Sequence, residues 1–509
     1  MKKIKSYIIF ISIIGLSLSS CSDWMDIEPK DKVLEDKMYE TPKSINAVLN
    51  GIYQLMMKEN LYGGQMTMTT VEFLAQYYNY SASFPSQQNE QFFYYLGNYN
   101  YNQQSVETKF GSIWDDTYSV IFNINGFIDN VSKSNVISQQ KKNIMLGEAY
   151  GLRAFLHLDM LRLFGPVYKT GASAIAIPYN DKADVTTYAR LRADEVMTKI
   201  LADITTAEGL LKEDPILTKG VKYIEDANDH MYLTAEDIFD NYYRNRRMNY
   251  YAVKALKART LLYKGDVQEA AKIASEVITQ SEIENVFPFV KAENVINENN
   301  RNYIFASEVL FGIENPNMYT RWSNYTNGTQ KGRTYTVNES NLRVNMFMRE
   351  NVGSTVEDVR FLQWGNSKLI DNTLQVSHKY EDYGYSTYDP IKYLQPLMRI
   401  TEMHYIVAEA YIQANDKINA LQTINNIRKI RNWQDDSQVK PENVTIELLK
   451  KMLESEYYVE FYGEGQAFFY HKRLENQIIY DGKDGGTIDI TTLVNNPYSI
   501  PIPRSETDV

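Results

Sequence analysis

The run from Glu454 to Asn476 reads Glu-Ser-Glu-Tyr-Tyr-Val-Glu-Phe-Tyr-Gly-Glu-Gly-Gln-Ala-Phe-Phe-Tyr-His-Lys-Arg-Leu-Glu-Asn. Glu454, Glu456 and Glu460 recur at helical spacing with aromatics between them. Gly463 and Gly465 then interrupt, and a second segment opens at Phe468-Phe469 and closes on Lys472 and Arg473. The pattern predicts a helix, a tight corner and a second helix packed back on the first. Little besides glycine suits such a corner, so its geometry is exacting. Glu456 and Glu460 lie four apart on one helical face, and their expected partners are Lys or Arg on a neighbouring helix.

Working outward, two helical hairpins precede this stretch. In one, Ile400, His404, Val407, Ala408 and Tyr411 lead to Asn415-Asp416, and Ala420, Leu421, Ile424 and Ile427 resume the apolar stripe. In the other, Ala252, Ala255, Leu256 and Leu262 lead to Gly265-Asp266, followed by Ala270, Ile273, Ala274, Val277 and Ile278. Both read helix, short polar turn, helix, with alanines where helices approach closely, as in tetratricopeptide pairs. Further helices are predicted over Ser44 to Met57, around Trp114 to Ile128, over Glu148 to Phe164 ahead of Gly165-Pro166, and over about Ala193 to Leu211. The first two are expected to pair. Long insertions break the repeat period, so the layout predicts a mainly α fold. Four helix pairs form a tetratricopeptide-like scaffold, and the insertions gather into a loop-rich, aromatic-rich subdomain.

The 509 residues suffice for a sizeable core, and 44% hydrophobic with 23% charged residues is an ordinary globular composition. Residues 1–20 stand apart: Lys2, Lys3 and Lys5 precede an apolar run from Ile8 to Leu18, which suits a signal peptide and is too short to span a bilayer. Leu18-Ser19-Ser20-Cys21 places small residues before the only cysteine, the pattern of a bacterial lipobox with Cys21 as the lipidation site. Residues 21–34 then read as an extended tether, and 35–509 as a single domain with parts at about 35–290 and 291–509. Removing residues 1–20 leaves 50 basic against 64 acidic residues, a formal charge of −14 in place of −11, which argues against nucleic acid as a partner.

Two insertions differ in texture from the helices. Residues 73–103 alternate aromatics with amides, and residues 315–390 repeat that composition. Between them, Ser307 to Ile313 reads as a short strand. Tyrosine is abundant, with 40 copies against 20 phenylalanines and 5 tryptophans. Such rings offer an apolar face to a sugar while neighbouring amides and arginines bond its hydroxyls, and peptides can use the same surface. The expected ligand-binding residues, taken from the two insertions, are Tyr77, Tyr80, Tyr95, Tyr99, Trp322 and Tyr325.

No catalytic, metal or cofactor site is expected. The histidines, His157, His230, His378, His404 and His471, show no metal-ligand spacing, and neither a Gly-x-Ser-x-Gly elbow nor a phosphate-cradling glycine loop occurs. A glycosidase carboxylate pair is diagnosed only by its separation in space.

Several motifs carry a family resemblance: the lipobox, Asp26-Ile27-Glu28-Pro29, Asn50-Gly51-Ile52-Tyr53, and the charged and apolar pattern of Glu148 to Gly165. To these add the Glu454 to Arg473 corner and Pro501-Ile502-Pro503. In this order they resemble the SusD/RagB family of surface nutrient-binding lipoproteins. Tyr457-Tyr458 and Phe468-Phe469-Tyr470 depart from many relatives, which suggests a distinct branch. The resemblance implies a non-catalytic lipoprotein on the outer face of the outer membrane of Bacteroidetes-type bacteria. It would bind glycans and pass them to a SusC-like TonB-dependent transporter. The alternatives are peptides as ligand, a surface glycoside hydrolase, or a helical scaffold that binds no nutrient.

Overall fold

The computed structural model describes residues 37–79, 88–297, 301–326, 335–348, 358–366, 374–432, 441–483 and 485–506. The expected leader, Cys21, the expected 21–34 tether and Tyr80 lie outside them.

The predicted helices form, and their boundaries follow local chemistry. α1 (Pro42–Met56) opens with Pro42 in its first turn and a reciprocal cap: Ser44 N–H donates to Thr41 Oγ1, and Thr41 N–H to Ser44 Oγ, both at 3.1 Å. It buries Ile45, Leu49, Ile52 and Met56. α2 (Gln104–Lys133) packs on α1 and buries Phe110, Trp114, Ile121 and Phe127. α3 (Gln139–Phe164) starts upstream of the predicted Glu148, because Ser138 caps it and its first turns are too polar for an apolar stripe to reveal. From Met145 to Phe164 every residue but Tyr150 is buried, so α3 is the central helix of its half.

α4 (Ala193–Leu210), α5 (Tyr250–Lys264), α6 (Val267–Glu284), α7 (Ile400–Gln413), α8 (Lys417–Ile430), α9 (Ile446–Glu460) and α10 (Ala467–Leu474) complete the frame. The pairs α1/α2, α3/α4, α5/α6 and α7/α8 pack internally, and α2 on α3, α4 on α5 and α6 on α7 join each pair to the next. This is the predicted run of four helix pairs.

Strands are few, and sequence periodicity misses most of them. β1 (Val309–Glu314) was expected; β2 (Val337–Asn338), β3 (Trp364–Asn366), β4 (Leu374–Ser377) and β5 (Leu394–Arg399) arise in the second insertion and just after it. β1 pairs antiparallel with β5, whose Pro396 hides the strand signal, and β2, β4 and β3 form a small antiparallel sheet. β6 (Ile478–Tyr480) and β7 (Thr487–Asp489) form a hairpin after α10. The insertions are also less loop-like than expected, since they contain the short helices Gln88–Gly97 and Met318–Thr326.

The corner after α9 is as tight as its glycines imply. Gly463 and Gly465 have φ of +74° and +72°, and a β-carbon on Gly465 would sit 2.2 Å from the Met66 carbonyl oxygen. The Gly465 N–H donates to Glu72 Oε1 at 2.7 Å, which docks the corner on the segment before the first insertion.

The acids ahead of the corner anchor a buried charge network. Glu460 Oε2 meets Arg360 Nη1 at 2.9 Å, and its Oε1 meets Arg431 Nη2 at 2.6 Å and also Arg399. Arg431 reaches Glu308 at 2.5 Å, Arg360 reaches Asp358 at 2.6 Å and Glu456 at 2.7 Å, and Arg428 reaches Glu456 at 2.6 Å. Lys379 and Arg399 close the system on Glu464 at 2.7 and 3.0 Å. Five carboxylates thus face five cations, so the network itself carries no net charge. Burial pushes the Glu460 carboxyl up, but Arg431, Arg399 and Arg360 outweigh it and hold the group well below the usual carboxylate range. The expected helix-borne partners are Arg428 and Arg431; Arg399 at the β5–α7 junction and Arg360 in a 3-10 turn come from elsewhere.

Glu454 behaves differently from its neighbours. Burial pushes its carboxyl from 4.5 up to about 7, with Lys451 offsetting only part. The nearby His471, 3.8 Å away, is itself driven down to about 3 by burial and supplies no charge. Because the folded value lies above the unfolded one, the folded chain holds the extra proton between those two pH values. The stability this group contributes is complete below about pH 4.5 and lost as pH rises through about 7. Glu454→Gln is therefore expected to match the parent in urea unfolding at pH 4.5 and to exceed it by more than about 1 kcal/mol at pH 8. A difference that does not change with pH would contradict this.

Candidate functional site

The two aromatic insertions, distant in sequence, meet in one block. Phe73 stacks on Phe93 with centroids 4.5 Å apart and planes at 19°, and Tyr335 approaches Phe73, Phe93 and Tyr78 at 5.2, 5.2 and 4.9 Å. Tyr325, on the helix Met318–Thr326, stacks on Tyr335 at 4.8 Å and 20°. Its hydroxyl donates to Glu59 Oε1 at 3.1 Å, and Arg321 on the same helix donates to the Met57 and Gly63 carbonyls at 3.0 and 3.1 Å. The second insertion is thereby clamped to the turn after α1.

Only part of the expected ligand set lies at the edge of this block. Tyr95 and Tyr325 are half-buried, and Tyr94, which sequence reasoning did not select for the site, is exposed beside Tyr95 at 5.9 Å. Tyr77, Tyr99 and Trp322 are interior, which corrects the expectation that they offer faces to a ligand. Their polar atoms serve the fold: the Tyr77 hydroxyl donates to the Tyr458 carbonyl at 2.8 Å, that of Tyr99 to Leu74 at 3.0 Å, and Trp322 Nε1 to Ser377 at 3.1 Å. The run Val71-Glu72-Phe73-Leu74-Ala75 just before Tyr77 carried the signal that this end of the insertion enters the core.

A groove of about 990 Å³ opens beside the block. One wall is α1, with Asn46, Asn50 and Tyr53; the other is the short helix Ala235–Asn241 and the following Tyr242 to Arg247. Met57 and Lys58 line one end, adjacent in sequence to the Glu59 that holds Tyr325. The motif Tyr242-Tyr243-Arg244-Asn245-Arg246-Arg247 was legible as an aromatic-basic cluster, but nothing in its spacing told that it faces α1.

The charged residues of α3 are paired within the fold. Glu148 pairs with Arg244 at 2.5 Å, Arg153 with Asp203 at 2.6 Å, and Asp159 with Arg162. The Arg162 guanidinium lies 4.0 Å over the Phe469 ring, which ties α3 to the corner. Among the described residues, no group of three His, Cys, Asp or Glu side chains is placed to hold a metal ion, and no helix is long and apolar enough to cross a membrane.

The fold and these motifs agree with two family matches: residues 23–223 with a SusD-like family described as starch-binding and associating with the outer membrane, and residues 313–508 with the SusD family. The chain belongs to the SusD/RagB family. It is similar to SusD-like proteins P38 and P25 of Formosa agariphila, at 28% identity over 46% of this chain and 44% of P38, and 23% over 32% of this chain and 31% of P25. The chain thus spans less than half the length of these curated relatives. A SusD superfamily crystal structure from Bacteroides thetaiotaomicron superposes with a TM-score of 0.66 at 19% identity, covering 92% of this chain and 98% of that one. A SusD-like carbohydrate binding protein from Bacteroides vulgatus gives 0.64 at 17% identity, covering 92% and 96%.

Proposed function

We propose that this protein is a surface lipoprotein, anchored to the outer membrane through Cys21, that binds oligosaccharides without altering them and hands them to a SusC-like TonB-dependent transporter. The observation that carries the reading is the aromatic block with Tyr94, Tyr95 and Tyr325 at its edge, in a chain whose family is described as starch-binding. A half-buried ring held by a second ring keeps one apolar face for a sugar while losing little entropy on binding. One domain from residue 35 onward fits a core that runs from Ile45 to Ile500.

Calorimetry of the full chain in detergent against a panel of oligosaccharides tests the reading. Tyr95→Ala and Tyr325→Ala are each expected to weaken binding by about threefold to tenfold, the worth of one aromatic contact. Tyr99→Phe removes a hydroxyl that donates to the Leu74 carbonyl inside the fold and should leave affinity unchanged. Release of new reducing ends would assign a hydrolase instead, and retention of peptides alone would replace the ligand class.

A further inference from the structure

The groove between α1 and Tyr242 to Arg247 carries a charge pattern that narrows the ligand. Lys43, Lys58, Arg246 and Arg247 line it against Glu236 and Glu314, in a chain whose net charge is −11. Most of these are already paired: Lys58 with Asp116 at 2.6 Å, Glu236 with Lys141 at 2.6 Å, and Glu314 with Arg246 at 3.0 Å. Two cations remain. Lys43 is exposed and has no acidic partner among the described residues. Arg247 is packed on the faces of Phe239 and Tyr53 at 4.2 and 4.9 Å, and its nearest carboxylate is Glu148 at 3.9 Å. Glu148 is itself taken by Arg244 at 2.5 Å and the Tyr53 hydroxyl at 2.8 Å.

Arg247 donates one hydrogen bond, from Nη2 to Asn50 Oδ1 at 2.5 Å, while its Nη1 and the Nε of Arg246 are buried without an acceptor. Residues 43, 46, 50 and 54 fall on one face of α1, so Lys43 points along the same wall as the amides of Asn46, Asn50 and Gln54. Opposite them, the half-buried Tyr242 ring has no aromatic partner among the described residues. A volume near the upper end of small-ligand sites, one open ring, a row of amides, an exposed lysine without an acidic partner and an arginine whose nearest carboxylate is 3.9 Å away form a coherent set.

We propose that this groove binds a carboxylate-bearing sugar unit, so that the protein takes acidic oligosaccharides. The carboxylate is held between Arg247 and Lys43, the ring lies against Tyr242, and the amides of α1 bond its hydroxyls. This rests on the reading of the chain as a glycan-binding protein and names its ligand class. The aromatic edge at Tyr325 adjoins the groove, so neighbouring units of one chain can reach both.

The test is calorimetry of the full chain in detergent with tetrasaccharides of polygalacturonate, alginate and hyaluronan, each against its carboxyl-reduced counterpart. At least one acidic probe is expected to bind about tenfold or more tightly than its reduced form, and raising the salt should shrink the gap. Lys43→Gln and Arg247→Gln should cut that preference to about threefold or less, the lysine being exposed and replaceable without cost to the fold. Equal affinity for acidic and reduced probes overturns this inference and leaves the proposed function standing. A preference that survives both substitutions overturns the placement in the groove. Absence of binding to every oligosaccharide, neutral ones included, overturns both readings.

Discussion

Glu460→Ala is expected to destabilise the folded chain by about 3–5 kcal/mol, the typical loss when one partner of a buried ion pair is removed. Three fully buried guanidinium groups, those of Arg360, Arg399 and Arg431, converge on this one carboxylate. Truncation leaves five cations facing four acids with no water to screen them. Against a total stability of about 5–15 kcal/mol for a typical domain, the loss is a large fraction of the whole. Urea unfolding measures it. Breaking an exposed pair, Lys133 with Asp129 at 70% and 58% side-chain exposure, should cost under about 1 kcal/mol by the same assay. If the two losses are alike, the network does not hold the C-terminal half together.

Gly465→Ala is expected to cost about 2–5 kcal/mol, from two separable sources. The left-handed backbone accounts for about 1–2 kcal/mol in any non-glycine residue. The added carbon would also meet the Met66 carbonyl at 2.2 Å, a backbone atom that cannot swing aside, and overpacking of that kind adds about 1–3 kcal/mol. Gly265, left-handed at φ +99° with nothing within 4 Å of a built β-carbon, isolates the first source. Gly265→Ala should therefore lose only the smaller amount in urea unfolding. Equal losses at both sites would show that the corner is not clamped on Met66.

The helical frame was legible because its information is local. Ile45, Leu49 and Ile52 on α1, or Ala420, Leu421 and Ile424 on α8, repeat at helical spacing whatever surrounds them. The polar first turns of α3 and the proline of β5 were not, since neither leaves a periodic trace in the chain. The candidate site was legible in composition and illegible in placement. Tyr77, Tyr95 and Tyr99 share one amide-rich segment, yet burial takes the first and third and leaves the second at the edge. Tyr77 faces inward against Tyr458 and Tyr462, residues supplied from the far end of the sequence. The groove was missed for the same reason: its two walls are separated by nearly two hundred residues.

From the order of residues alone come the helix pairs, the glycine corner and the need of Glu456 and Glu460 for cations, because periodicity, backbone freedom and charge are properties of short stretches. Packing decided the rest: that Arg360 and Arg399 join Arg428 and Arg431 as those cations, that the two insertions share one aromatic block, and that Arg246 and Arg247 face α1. A side chain's exposure and its partner are set by whichever segments close over it, and those segments meet only once the chain has folded.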